Sequence, residues 1–226
     1  MNRSAATASL SRPAQPGVRQ PDVRQPDVRQ PDVRQHILDV ARPLLLRKGF
    51  TAVGLSELLA EAGVPKGSFY HYFGSKEAFG EAVLEAYFSD YLGEIDALLA
   101  GPGTGAERLL RYFGHCLDTQ VGDHMQSRCL AVKLGAEVCD LSEPMRIALD
   151  RGIGAIVERL TRCIQAGIDD GSLPSLPSLA DPAAAANTLY QSWFGASLLA
   201  KIGRDRASLD AAMAGTRQML GLATEA

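Results

Sequence analysis

Gly54-Leu55-Ser56-Glu57-Leu58-Leu59-Ala60-Glu61-Ala62-Gly63-Val64-Pro65-Lys66-Gly67-Ser68-Phe69-Tyr70-His71-Tyr72-Phe73 is the stretch that decides how this chain folds. Leu55, Leu58, Leu59 and Ala62 recur at the spacing of one helix face. Gly63 supplies the positive φ of a tight turn. Pro65 suits the first turn of a following helix, where a missing N–H is not needed. Gly74-Ser75 interrupts that second helix, and Ser75 then caps a longer one starting at Lys76. A short helix, a turn containing glycine and a second short helix form the helix-turn-helix pattern.

Upstream, Asp32 is the expected N-cap of a first helix. Ile37, Val40, Ala41, Leu44 and Leu45 follow helical spacing, and Gly49 stops it. Pro43 falls inside this helix, where it should cost about 3 kcal/mol or force a kink. Before Asp32, Val-Arg-Gln-Pro-Asp repeats from Val18 to Val33 at a period of five residues. Its prolines remove amide donors and its single small apolar residue per unit cannot build a core. Residues 1–31 are therefore expected to be a solvated tail. Through residue 34 it carries six Arg against three Asp. The alternative for this positive arm is contact with DNA phosphates.

Downstream, residues 76–99 read as one amphipathic helix closed by Gly101-Pro102-Gly103. Helices are expected over 105–121, 127–139 and 143–169. A loop runs from Asp170-Gly171 to Pro177, a helix from Asp181-Pro182 through Lys201, and a last helix over about 206–221. No strand-like alternation is present, so the fold class is all-α. A tail (1–31), a helix-turn-helix domain (32–79) and a larger helical bundle (80–226) are expected.

The chain has 226 residues, is 46% apolar and has a net charge of −3. That is enough apolar content for a core. No run approaches the roughly 18 apolar residues of a membrane helix, and no secretory signal is expected. A cytoplasmic protein with no membrane partner follows. There the four cysteines, at 116, 129, 139 and 163, should be reduced thiols. None forms a CxxC pair, so no metal or cofactor is expected. The slight negative charge excludes a uniformly basic coat but not a local DNA-contacting surface.

Gly49-Phe50-Thr51, then Leu58 through Phe73, then Ser75-Lys76-Glu77-Ala78-Phe79 resemble the DNA-binding domain of TetR-family transcriptional repressors. Arg128-Cys129-Leu130-Ala131-Val132-Lys133-Leu134-Gly135-Ala136-Glu137-Val138-Cys139-Asp140-Leu141-Ser142-Glu143, together with Trp193-Phe194-Gly195-Ala196 and Lys201-Ile202, resemble the effector domain of its NemR-like branch. The resemblance covers nearly everything after residue 34; the repeat tail and Pro43 depart from it. It implies a repressor that leaves its operator when reactive electrophiles arrive.

A recognition helix must aim polar side chains into the major groove while its other face anchors to the domain. Phe69 and Phe73, four apart, should face inward. Pro65, Lys66, Gly67, Ser68, Tyr70, His71 and Tyr72 are then the DNA-facing set, with Gly67 allowing close approach to the duplex. Lys66 can reach a guanine edge or a phosphate, and Tyr70 and His71 phosphate oxygens. Lys76 adds a cation at a helix N-terminus suited to phosphate. The resemblance adds Thr51 as a further phosphate contact. One short helix gives too few base contacts for genomic specificity, so a homodimer is expected on double-stranded operator DNA. Its interface is expected from Leu189, Trp193, Ala196, Leu199, Ala200, Met213, Met219 and Leu220. Some of these must instead be intramolecular core.

Thiolate is the reactive form of cysteine. Cys129 follows Arg128 and lies near the start of the expected helix, where cation and dipole both favour the anion. The resemblance places Lys201 near it. Cys129 is thus the expected sensor of a small-molecule effector, with Arg128 and Lys201 as modulators. Cys139 is expected in the core, and Cys116 and Cys163 as structural. Two other functions compete. One is the same scaffold released by a small molecule held without a covalent bond near Tyr190 and Trp193. The other is a thiol enzyme, for which no base or oxyanion donor set is placed.

Overall fold

In the computed structural model, residues 32–120 and 129–223 are described. The repeat tail and Arg128 lie outside them. Asp32 caps α1 (Val33–Lys48), its carboxylate accepting from the Arg34 and Gln35 amides at 3.0 and 3.4 Å. Gly49, with φ 89°, closes the helix by donating to the Leu45 carbonyl. α1 runs through Pro43 without a break. Ile37, Leu38, Leu44, Leu45 and Leu46 are all buried. At about 1.5–3 kcal/mol each, their burial outweighs the roughly 3 kcal/mol penalty of the proline.

α2 (Leu55–Ala62), α3 (Lys66–Phe73) and α4 (Lys76–Ala100) follow. Gly63 adopts φ 65° between α2 and α3, and Ser75 Oγ accepts the Ala78 amide at 3.0 Å to start α4. Phe69 and Phe73 turn inward and pack on Phe79, with ring centroids 5.3 and 5.2 Å away. This aromatic cluster fixes the tilt of α3 on α4.

The remaining helices are α5 (Gly105–Gln120), α6 (Leu130–Leu141), α7 (Glu143–Asp169), α8 (Pro182–Gly203) and α9 (Ala207–Met219). α6 thus starts at Leu130, later than expected, and ends two residues later. The loop after α7 holds a short 3-10 turn, Pro177–Leu179, that buries Leu179. Among the described residues there is no strand. None of their helices is long and apolar enough to cross a membrane, and they hold no cluster of three metal-ligating side chains.

α7 is the axis of the bundle and packs on α4, α5, α6 and α8. α9 packs on α8 and α5. Trp193 on α8 stacks on Phe113 at 5.2 Å and donates its indole N–H to Thr216 Oγ1 at 2.8 Å. Trp193, Leu189, Ala196, Ala200 and Leu220 are therefore the members of the candidate interface set that belong to the core of the chain itself. The large apolar side chains that α8 leaves outside are Leu198, Leu199 and Ile202, 42%, 58% and 69% exposed.

Candidate functional site

The outward side of α3 carries the expected set. Pro65 is the N-cap of α3, one position earlier than its expected place in the first turn. Pro65, Lys66, Gly67, Tyr70, His71 and Tyr72 are exposed, and Ser68 is half-buried. Lys66 Nζ sits 5.9 Å over the Tyr70 ring, and the His71 and Tyr72 rings meet edge to face at 5.0 Å. Beneath them Phe69 is fully buried. A Cβ added at Gly67 would meet nothing within 4 Å. The fold itself gives no reason for glycine there. Lys76, half-buried in the first turn of α4, holds its Nζ 5.0 Å over the Phe50 ring. Thr51 is exposed in the loop between α1 and α2.

Cys129 is half-buried at the N-cap of α6. Tyr87 Oη, from α4, donates to its sulfur at 3.7 Å. Tyr91 shares a 3.3 Å hydrogen bond with Tyr112 and a 3.9 Å contact with the Cys116 sulfur. Burial pushes the Cys129 thiol up. The Val132 amide, the Tyr87 hydroxyl, the Ala131 amide and the Lys201 ammonium pull the other way without overcoming it. The expected lowering of this thiol is thus reversed in sign, because the interior withholds water from the anion.

Of the other cysteines, Cys139 departs from expectation. Cys139 is exposed, not core, because the neighbouring Val138 takes the inward position near the end of α6. Cys116 is buried and its thiol is pushed up to about 12 by burial. Cys163 is buried, with its sulfur donating to the Gly105 carbonyl at 3.6 Å.

Two residues escaped the sequence reading. Glu137, two turns along α6 from Cys129, reaches the α1–α2 loop. Its Oε2 accepts the Phe50 amide at 3.0 Å and its Oε1 the Thr51 amide at 2.6 Å. Lys133, one turn before it, donates to the Arg47 carbonyl at 3.4 Å. The second residue is Tyr87, whose ring lies 5.2 Å under the Arg42 guanidinium of α1. No local pattern announces either contact, since each joins segments far apart in the sequence.

An all-α bundle that presents a helix-turn-helix, with one short helix anchored by two phenylalanines and bare on its far side, is the architecture of a DNA-binding regulator. Residues 37–83 match the tetR family of bacterial regulatory proteins. Residues 105–216 match the tetracyclin repressor-like C-terminal domain. The chain belongs to the TetR family and is a DNA-binding transcriptional repressor. It is 43% identical to the HTH-type transcriptional repressor NemR of Escherichia coli K12 over 187 residues, covering 82% of this chain and 92% of that one. The crystal structure of the reduced form of E. coli NemR superposes with a TM-score of 0.79, at 43% identity, covering 86% of this chain and 99% of that one. The repressor DhaR of Mycobacterium sp. GP1 is 36% identical over 177 residues, covering 78% of this chain and 86% of its own.

Proposed function

We propose that the protein binds double-stranded operator DNA as a homodimer in the cytoplasm and leaves it when a small electrophile or oxidant modifies Cys129. Residues 32–79 read the DNA; residues 80–226 sense the effector and pair the subunits. Lys66, Gly67, Ser68 and Tyr72, following Pro65, approach the major groove, while Thr51, Tyr70, His71 and Lys76 hold phosphates. Two copies of α3, about 34 Å apart, meet successive turns of the duplex. Lys201 and Arg128 favour the thiolate of Cys129.

The observation that carries this reading is the position of Cys129. It begins α6, the helix whose Glu137 grips the loop after α1. A bulky or oxidised sulfur there displaces α6, loosens that grip and changes the spacing of the two reading heads. The reading is also supported by the likeness to NemR, for which a reduced form has been solved. A second reading rests on Tyr190 and Phe194, paired 6.0 Å apart and only partly buried: an aromatic ligand held there without a covalent bond.

The two separate on one experiment. Cys129→Ser should bind operator as the parent does and stay bound when treated with N-ethylmaleimide. Release of the serine variant by the same treatment decides against the thiol.

A further inference from the structure

Tyr87 is 5% exposed and fixed from several sides. Its ring stacks on Tyr91, one turn along α4, at 5.8 Å and 9°. It meets Phe88 edge to face at 5.1 Å. Arg42 of α1 covers its face at 5.2 Å and is itself tethered to Asp90 at 3.3 Å. Its hydroxyl ends on the Cys129 sulfur. We infer that Tyr87 is the positioning residue of the thiol site: its hydroxyl steadies the Cys129 thiolate for attack, and its ring passes the state of that sulfur to α1 through Arg42. This rests on the reading that Cys129 is the modified group.

Burial, reinforced by Cys129 and Tyr91, raises the Tyr87 phenol well above its ordinary range. Tyr87 therefore remains an O–H donor at any pH the protein meets. A neutral thiol accepts such a bond weakly, whereas a thiolate accepts it as a charge-assisted bond about twice as strong. The hydroxyl thus favours the reactive form over the resting one. Among the described residues, the other ionisable groups acting on this sulfur are Tyr91 on α4, Cys116 on α5, and Tyr190 and Lys201 on α8. Of these, only Lys201 carries a charge in the resting site.

The step balances with a conjugated alkene such as N-ethylmaleimide. The thiol proton leaves to solvent and the sulfur pair forms an S–C bond. The alkene π pair moves to the carbonyl as an enolate, and water returns a proton to carbon. The product is a neutral, bulkier thioether that accepts hydrogen bonds poorly. The buried Tyr87 hydroxyl then loses its partner and must turn or stay unsatisfied. When the side chain turns, the ring face on which Arg42 rests shifts with it.

The test follows N-ethylmaleimide addition at Cys129 in the full chain, by peptide mass spectrometry across a range of pH. Tyr87→Phe keeps the ring and removes the donor. It should slow addition near neutral pH roughly tenfold and move the midpoint of the pH–rate profile up by about one unit. The plateau at high pH should not change. A parental rate and profile in a folded Tyr87→Phe protein overturns the positioning role. Arg42→Met supplies a second variant and a second readout. It should be alkylated at the parental rate, yet lose less operator affinity on alkylation than the parent does. Equal loss overturns the relay to α1. The rate at Cys129 is measured without DNA. Release of Cys129→Ser by the reagent therefore refutes Cys129 as the release switch separately from the role of Tyr87.

Discussion

Glu137 Oε1 accepts the Thr51 amide at 2.6 Å, across 86 residues of sequence. The same carboxylate accepts the Phe50 amide, so one side chain satisfies two consecutive donors that leave α1. Gly49 is tightly bound up with this arrangement. A Cβ there would lie 2.8 Å from Glu137 Oε2, and its φ of 89° disfavours any side chain. The bundle therefore grips the DNA-reading unit through a polar clamp built from backbone amides, which any displacement of α6 must strain.

Glu137→Gln should weaken that clamp. Burial raises this carboxyl, but the Thr51 and Phe50 bonds and nearby Lys133 outweigh it, leaving the pKa below its ordinary 4.5. A depressed folded pKa stabilises the fold above the unfolded value, and that stability disappears as pH falls through the folded one. The variant should lose about 1 kcal/mol at neutral pH in urea unfolding. The gap to the parent should narrow as pH drops below 4.5. A gap independent of acid would exclude the charge as its source.

Gly67 separates folding from DNA contact. No neighbour stands in the way of a Cβ, and alanine is favoured over glycine in a helix by about 1 kcal/mol. Gly67→Ala should therefore melt no lower than the parent while binding operator more weakly. Unchanged affinity in gel shift would show that α3 does not bring its backbone close to the duplex.

Tyr70 and Lys76 test the phosphate contacts. Tyr70 is 47% exposed, and Lys76 occupies the first turn of α4. Tyr70→Ala with Lys76→Ala should weaken binding to operator and to unrelated DNA alike. The slope of log affinity against log salt should fall by about one, since only the lysine releases a counterion. Removing Lys76 also removes a cation over Phe50, worth about 0.5–1 kcal/mol. Thermal melting must accompany the titration to keep the two effects apart.

Local chemistry made much of this legible. Gly49, Gly63 and Gly74 mark helix ends because the chain needs positive φ there, and Asp32, Ser75 and Asp181 mark starts because their side chains accept orphan amides. The inward turn of Phe69 and Phe73 follows from their spacing. The cost of Pro43 could be read locally, but the burial that offsets it could not, because it comes from α2, α4 and α6. Cys139 was misplaced because an apolar helix offers two faces and spacing alone does not say which one meets α7. The Trp193 face stayed open between a partner subunit and the core because sequence cannot distinguish a helix of the same chain from one of another.

The exposed strip on α8 gives the last prediction. Leu198, Leu199 and Ile202 are left to solvent while the opposite face of the helix is filled by Trp193, Ala196 and Ala200. Contiguous exposed apolar side chains on a helix mark contact surfaces, and a second copy of the chain meets the need for paired reading heads. Leu199→Glu with Ile202→Glu places two charges where apolar contact is expected and removes nothing from the core. The variant should keep its helical circular dichroism, run as a monomer in sedimentation velocity and bind an operator half-site no better than unrelated DNA. A dimer of parental affinity would move the interface off this end of α8.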